Sequence, residues 1–183
     1  MTMQLDVSAN RAARKYSRRT QVARVLWALC LPLFRFSPRP MWGWRAWLLR
    51  RFGAQVGRGA HLHPTVRILM PWNLSIGDQV TVGDSAILYA LGAITICDRA
   101  TVSQYVHLCA GTHDIRDPAR TLCKPPITIG PDAWVCADAF VGPGVRIGAG
   151  AILGARAVAM RDLPPRSTGV GNPMQIIIGK EKR

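Results

Sequence analysis

An aliphatic residue returns at every sixth position along most of this chain. The run opens Val56, Leu62, Ile68 and continues Ile76, Val82, Leu88, then Ile96, Val102, Leu108. It resumes at Ile129, Val135, Val141 and ends Ile147, Leu153. Four positions after the aliphatic residue stands a small or branched one (Ala60, Val66, Val80, Ala86, Gly92, Ala100, Val106, Thr112 and onward), with Trp72 the large exception. Glycine often follows the aliphatic residue directly, as at Gly57, Gly77, Gly83, Gly130, Gly142, Gly148 and Gly154. A period of six matches neither an amphipathic helix nor a free-standing alternating strand. It matches short strands joined by tight turns, with the aliphatic residue inward and glycine carrying the chain round the corner. Three such units close one triangular coil, and coils stack into a solenoid. The pattern predicts an all-β chain, a parallel β-helix.

The triplets begin at Val56, Ile76, Ile96, Ile129 and Ile147, steps of 20, 20, 33 and 18 residues. One coil is thus about 18 residues long, two coils carry two-residue bulges, and one carries a long excursion. About five coils are expected. The excursion lies inside "LCAGTHDIRDPARTLCKPPITIG", Leu108 to Gly130, and His113 stands where the period stops. Thr112 falls on an inward slot, so His113 is expected to close its coil, Ile96–His113, facing outward at an edge. The inserted loop, Asp114–Pro126, then covers a neighbouring surface.

Ahead of the repeat, "VARVLWALCLPLFRF" and "MWGWRAWLLRRFG" are apolar runs with helical spacing. The first is interrupted by Arg24 and Pro32 and is shorter than the roughly 20 apolar residues of a spanning helix. Trp27, Trp42, Trp44 and Trp47 all lie in these runs, with Arg45, Arg50 and Arg51 around them. Two readings stay open. Residues 22–52 lie on an anionic membrane surface, tryptophans at headgroup level and arginines on phosphates. Alternatively they cap the main domain and their arginines are simply solvated. The expected organisation is a basic, tryptophan-rich helical segment over 1–53, a β-helix over 54–160 with the loop 114–126, and a tail over 161–183. The first ~20 residues are expected to lack fixed structure.

Charge changes the picture only at that N-terminal end. The chain carries a formal +14, but residues 1–58 hold 12 Lys/Arg against the single acid Asp6. The remainder is close to balance, so nucleic-acid binding is not indicated in the absence of a recognition motif. Cys30, Cys97, Cys109, Cys123 and Cys136 are odd in number and form no C-x-x-C pair, which points to a reducing, cytoplasmic setting. The polar opening "MTMQLDVSANRAARKYSRR" does not read as a secretory signal.

The repeat [LIV]-G-x-x-[small]-x resembles that of the hexapeptide-repeat acyltransferases, whose β-helix is left-handed. The general crossover rule would have suggested the opposite hand, so handedness rests on the resemblance. "PWNLSIGDQVTVGDSAILY", "THDIRDPARTL", "PITIGPDAWVCADAFVGPGVRIGAGAILGARAV", "RDLPP" and "GNPMQIII" are similar to the branch of maltose, galactoside and nodulation-type O-acetyltransferases. Within that branch they look most like the colanic acid biosynthesis acetyltransferases of exopolysaccharide pathways. The likeness runs from about Val22 to the C-terminal region.

The resemblance implies transfer of an acetyl group from acetyl-CoA to a saccharide hydroxyl, in a homotrimer with active sites between subunits. The histidine of "THD" in this family is the catalytic base, which places that role on His113. A histidine suits it, because a sugar hydroxyl needs a base near neutral pH as it attacks a thioester. Asp114 either orients the imidazole or caps the loop, and Asp117 reads as a turn former before Pro118. The pantetheine arm would run past Ala137 and Ala155, whose small side chains let it approach. Trp134 either walls the acetyl site or packs under the loop. The family's Thr-Lys pair is Met160-Arg161 here, keeping a cation but losing a hydroxyl, and a later family arginine falls on Gln175. Lys180 is a further basic residue available to the nucleotide end. Asp84, Ser85 and Tyr89 are expected to face the acceptor, which the membrane-suited N-terminal segment suggests is lipid-linked, at the inner membrane. No metal is expected, since His107 and His113 fall on different sides of a coil and His61 and His63 two coils away. The rival readings are a serine or antibiotic hydroxyl as acceptor, and a non-catalytic β-helical scaffold.

Overall fold

The computed structural model describes residues 5–177; Lys180 and the rest of the C-terminal end lie outside the described residues. Its body is a parallel β-helix of five complete coils and a partial sixth, with strands of two or three residues on three faces. Face A stacks Gln55–Val56, Leu74–Ile76, Ile94–Ile96, Ile127–Ile129 and Arg146–Ile147. Face B stacks His61–Leu62, Thr81–Val82, Thr101–Val102, Trp134–Val135, Ile152–Leu153 and Thr168–Val170, with Gln175–Ile177 added antiparallel at its end. Face C stacks Arg67–Ile68, Ile87–Tyr89, His107–Cys109, Phe140–Val141 and Val158–Ala159.

The six-residue period is explained by register. On face A, Val56, Ile76, Ile96, Ile129 and Ile147 pair in succession. On face B, Leu62, Val82, Val102, Val135 and Leu153 do the same. Each ladder puts like on like inside the prism, and every one of these side chains is buried. Burial of one such side chain contributes about 1.5–3 kcal/mol, so the stack is the principal source of stability.

The glycines play a different part from the one expected. Gly57, Gly77 and Gly130 do not supply left-handed turn geometry. A Cβ on Gly57 would lie 2.5 Å from the amide nitrogen of Asp78 in the next coil, and on Gly77 or Gly130 it would lie 2.7 Å from that of Asp98 or Ala149. Close stacking of one turn on the next excludes a side chain there. The left-handed residues are mostly not glycine: Gln79, Arg99 and Asp132 at the A–B edge, and Ser85, Tyr105, Asp138 and Arg156 at the B–C edge, have φ of 56° to 61°. Cys97, Cys109 and Cys136 sit half-buried beside the ladders, and burial pushes their thiols up.

The bulges fall at the C–A edge and correct a second expectation. There the buried corner residues are Met70, Ala90 and Ala110, two positions after the face C aliphatic residue. Trp72 is half-buried and Thr112 is exposed. The chain therefore leaves the core at Ala110. Thr112–His113 pairs antiparallel with Leu122–Cys123, so His113 belongs to the base of a hairpin and does not close its coil.

Three helices precede the prism: α1 (Val7–Ala12), α2 (Arg18–Arg35) and α3 (Trp42–Arg51). Ser17 caps α2 by accepting from Thr20 N at 3.1 Å. Trp27 and Phe34 on its inner side are buried, and Trp27 Nε1–H donates to Ile68 O at 2.8 Å. From α3, Ala46, Leu48 and Leu49 are buried against the first coil. Arg45 departs from both sequence readings, being neither solvated nor free for a phosphate. It has no exposed surface, and its guanidinium donates to Leu62 O (2.7 Å), Ser37 Oγ (2.8 Å), Pro38 O (2.9 Å) and Arg39 O, with Trp42 stacked 4.6 Å from it. Burial lowers its pKa. It is a buried cation held by carbonyl dipoles, and it ties α3 to the first coil. Among the described residues no helix is long and apolar enough to cross a membrane.

Candidate active site

The hairpin at the C–A edge is built around two aspartates. Asp117 accepts from Ala119 N (2.9 Å) and Thr121 N (3.1 Å) and from the Thr121 hydroxyl. The Thr121 hydroxyl, then the two amides, hold its carboxyl below the usual carboxylate range. A depressed folded-state pKa means this clamp is complete above the ordinary aspartate range and is lost only as pH falls through the lowered value. It operates throughout the neutral region. Asp114 Oδ1 accepts from Arg116 N at 2.9 Å and faces the Arg116 guanidinium at 3.7 Å. Of the two roles considered for Asp114, its bonds are those of the loop cap, and none goes to the imidazole.

The clamp fixes Arg120 in a left-handed conformation, φ 50°, with its carbonyl against His113 Nδ1. A carbonyl only accepts, so Nδ1 carries the hydrogen and the neutral ring presents Nε2 with a free lone pair. His113 is exposed on a cleft of about 410 Å³. Its other walls come from Pro118 and Arg120 of the hairpin and, unexpectedly, from Leu5, Val7 and Asn10 of the N-terminal segment. Asn10 Nδ2 donates to Ala119 O (2.6 Å) and Arg120 O (3.1 Å), and Asp6 N donates to Pro118 O (2.9 Å). Asn10 thus bonds the carbonyl that orients the imidazole. Lys124 stacks 4.6 Å over Tyr16 and extends the same strap. The one local signal for this strap was Asp6, which caps α1 by accepting from Ala9 N at 2.9 Å.

The remaining sequence-selected residues divide between edges. Tyr89 ends a face C strand, where a Cβ on Gly111 would come 3.2 Å from its ring, so it lies under the root of the hairpin. Arg161 lies further along the C–A edge, in a cleft of about 370 Å³ with Met160 and Gln175, its guanidinium 3.3 Å from Met174 O. Ala137 and Ala155 sit on the B–C edge in consecutive turns, joined by Arg156 N donating to Ala137 O at 3.0 Å. Asp84 and Ser85 occupy the same edge nearer the N-terminal end, where Thr65 bridges them by donating to Asp84 and accepting from Ser85 N at 2.9 Å. Trp134 stands half-exposed on face B, its indole donating to Ser103 Oγ at 2.9 Å, and it neither lines the His113 cleft nor packs under the hairpin. Within one chain, then, His113 and the small-residue pair Ala137 and Ala155 are on different edges of the prism.

Comparison with known proteins turns this geometry into a family. No protein-family model matches the chain. It is 42% identical over 151 residues to WcaF of Escherichia coli K12, a candidate colanic acid biosynthesis acetyltransferase, covering 82% of this chain and 83% of that one. The chain belongs to the hexapeptide-repeat acetyltransferases. Nodulation protein L of Rhizobium leguminosarum bv. viciae is 34% identical over 140 residues, 74% of this chain and 73% of that one. Among solved structures, a galactoside acetyltransferase in complex with coenzyme A superposes with a TM-score of 0.83 at 24% identity, covering 97% of this chain and 90% of that one. A maltose O-acetyltransferase from Clostridium difficile 630 superposes with a TM-score of 0.82 at 21% identity, covering 99% and 100%. The β-helix of this acetyltransferase is accordingly left-handed, as in its family.

Sequence reasoning missed the role of the Arg120 carbonyl and the strap that reaches it through Asn10. It took Asp117 for a turn former, which it is, without showing what the turn positions. Asp117 accepts from Thr121 N, in the same peptide group as the Arg120 carbonyl that meets His113. Under the role proposed below for His113, Asp117→Ala is therefore expected to lower kcat by about ten- to a hundredfold, the size of effect that slight misplacement of a reacting group produces. Asp117→Asn, which keeps one acceptor oxygen, should recover part of the loss. The KM for the acyl donor should stay unchanged in both variants; a rise in KM with kcat intact would remove Asp117 from this positioning role.

Proposed function

We propose that this acetyltransferase uses acetyl-CoA to O-acetylate a saccharide hydroxyl, with His113 as the general base. The observation that carries the reading is the His113 ring: Nδ1 engaged on Arg120 O, and Nε2 without a partner among the described residues, on an open cleft. Nε2 removes the proton of the acceptor hydroxyl as its oxygen attacks the thioester carbonyl carbon. The tetrahedral adduct collapses by breaking the carbon–sulfur bond, and the thiolate leaves with the proton returned by the imidazolium. No acyl-enzyme is required, and burial keeps the Cys109 thiol, near the hairpin root, in its unreactive protonated form.

The donor would lie along the B–C edge, where Ala137 and Ala155 leave backbone accessible to the amides of a pantetheine arm. Arg161, on the C–A edge, offers a forked cation to a CoA phosphate. The separation of Ala137 and Ala155 from His113 within one prism favours a homotrimer, in which the B–C edge of one subunit meets the hairpin of the next. Trp134 would then wall the acetyl group from the neighbouring subunit, and Asp84, Ser85 and Tyr89 would contact the acceptor. The likeness to a colanic acid biosynthesis protein favours an exopolysaccharide intermediate as acceptor, modified on the cytoplasmic side.

A thiol-release assay with acetyl-CoA against sugars, nucleotide sugars, lipid-linked sugars, serine and aminoglycosides tests this directly. Release stimulated by a saccharide is the expected result. Stimulation by serine or an antibiotic alone would move the acceptor to another class, and failure to bind CoA in calorimetry would leave only a scaffold. Sedimentation equilibrium should give three times the chain mass of 20.1 kDa.

A further inference from the structure

Helix α2 is apolar on two sides, and among the described residues only one of them is covered. Trp27 and Phe34 face the prism and are buried. Val22, Val25, Leu26, Leu29, Leu33 and Phe36 recur at three- and four-residue steps, which places them on one continuous stripe along the helix. All of them are exposed, Leu29 at 71% and Phe36 at 86%. Trp44 Nε1–H donates to Leu33 O at 3.1 Å and stacks on Trp47 at 5.0 Å, so two indoles extend the stripe at its C-terminal end.

The charge around this stripe is of one sign. No acidic residue occurs between Asp6 and Asp78. Arg18 and Arg19 at one end of α2, and Arg35 and Arg39 at the other, are exposed, and the Arg51 guanidinium stacks 5.3 Å from the Trp47 ring. A second copy of this chain would bring like charge against like. An anionic lipid surface complements both features, taking the apolar stripe between headgroups and the guanidiniums on phosphates. The stripe runs the length of the helix, which suits an axis lying in the plane of the interface.

We propose that the outward face of α2 docks this enzyme peripherally on an anionic membrane. The full-length protein should co-sediment with phosphatidylcholine vesicles containing phosphatidylglycerol, not with phosphatidylcholine alone, and added salt should weaken the binding. Leu29→Glu/Leu33→Glu should weaken it more than about tenfold by placing carboxylates on the buried stripe. Arg18→Gln/Arg19→Gln should weaken it roughly fivefold per arginine. Because these residues face solvent, both variants should keep the wild-type melting curve and sedimentation mass. The proposal is overturned if the wild type ignores anionic vesicles, or if Leu29→Glu/Leu33→Glu binds them undiminished. It is also overturned if that variant changes oligomeric mass, which would assign the stripe to a second copy.

Discussion

The His113→Ala enzyme is expected to lose roughly 10²–10⁴-fold in kcat, the contribution typical of a positioned general base. The KM for acetyl-CoA should stay close to wild type, because the B–C edge, where the donor is proposed to lie, is untouched. Folding should be unaffected: the His113 side chain is exposed, Arg120 O keeps Asn10 as a donor, and Asp117 still holds the turn through Ala119 and Thr121. The measurement is steady-state thiol release beside a thermal melt and a sedimentation run. A folded, correctly assembled variant with full activity would sink the mechanism.

Arg45→Leu is expected to produce the largest loss of stability of any single change outside the aliphatic ladders. Leucine fills part of the space but leaves the carbonyls of Leu62 and Arg39 and the Ser37 hydroxyl without the guanidinium donor, and leaves Pro38 O only the Met41 amide. Leaving a buried acceptor unpaired costs about 1–3 kcal/mol, and several are orphaned at once here. In a chain of this size that lowers Tm by about 10 °C. Arg45→Lys should recover little, since a single ammonium cannot span acceptors that a planar fork reaches together. Differential scanning calorimetry of the two variants decides it; a shift within a degree or two of wild type would refute the assignment.

The comparison of these two residues shows where a linear reading reaches. His113 stands out in the sequence because it marks the long break in a strict period, and a family motif surrounds it. Arg45 was not, because an arginine next to tryptophans has the same local pattern whether it meets water, phosphate or a cage of carbonyls. Its surroundings come from Ser37 to Arg39 and from Leu62, brought together by the angle between α3 and the first coil. Asn10 is a sharper case. Its partners Ala119 and Arg120 lie 109 and 110 residues away, and no local spacing encodes a contact at that range. The glycines mislead for a related reason. Gly57 and Gly77 look like turn formers in sequence, yet what excludes a side chain is the amide of the following coil 20 residues on.

What the chain determines by itself is whatever repeats locally. The aliphatic period dictates three faces and an in-register core, since each coil presents to the next the same residue types it receives. The hairpin's position, the basic N-terminal end and the family likeness belong to the same class. Tertiary structure decides what depends on contacts between distant positions. It places the bulges at the C–A edge, so that His113 opens a hairpin; it straps that hairpin with α1; and it buries one side of α2 while leaving the other to solvent. Those outcomes follow from how helices and coils pack in three dimensions, where a side chain's partners are chosen by distance in space and not along the chain.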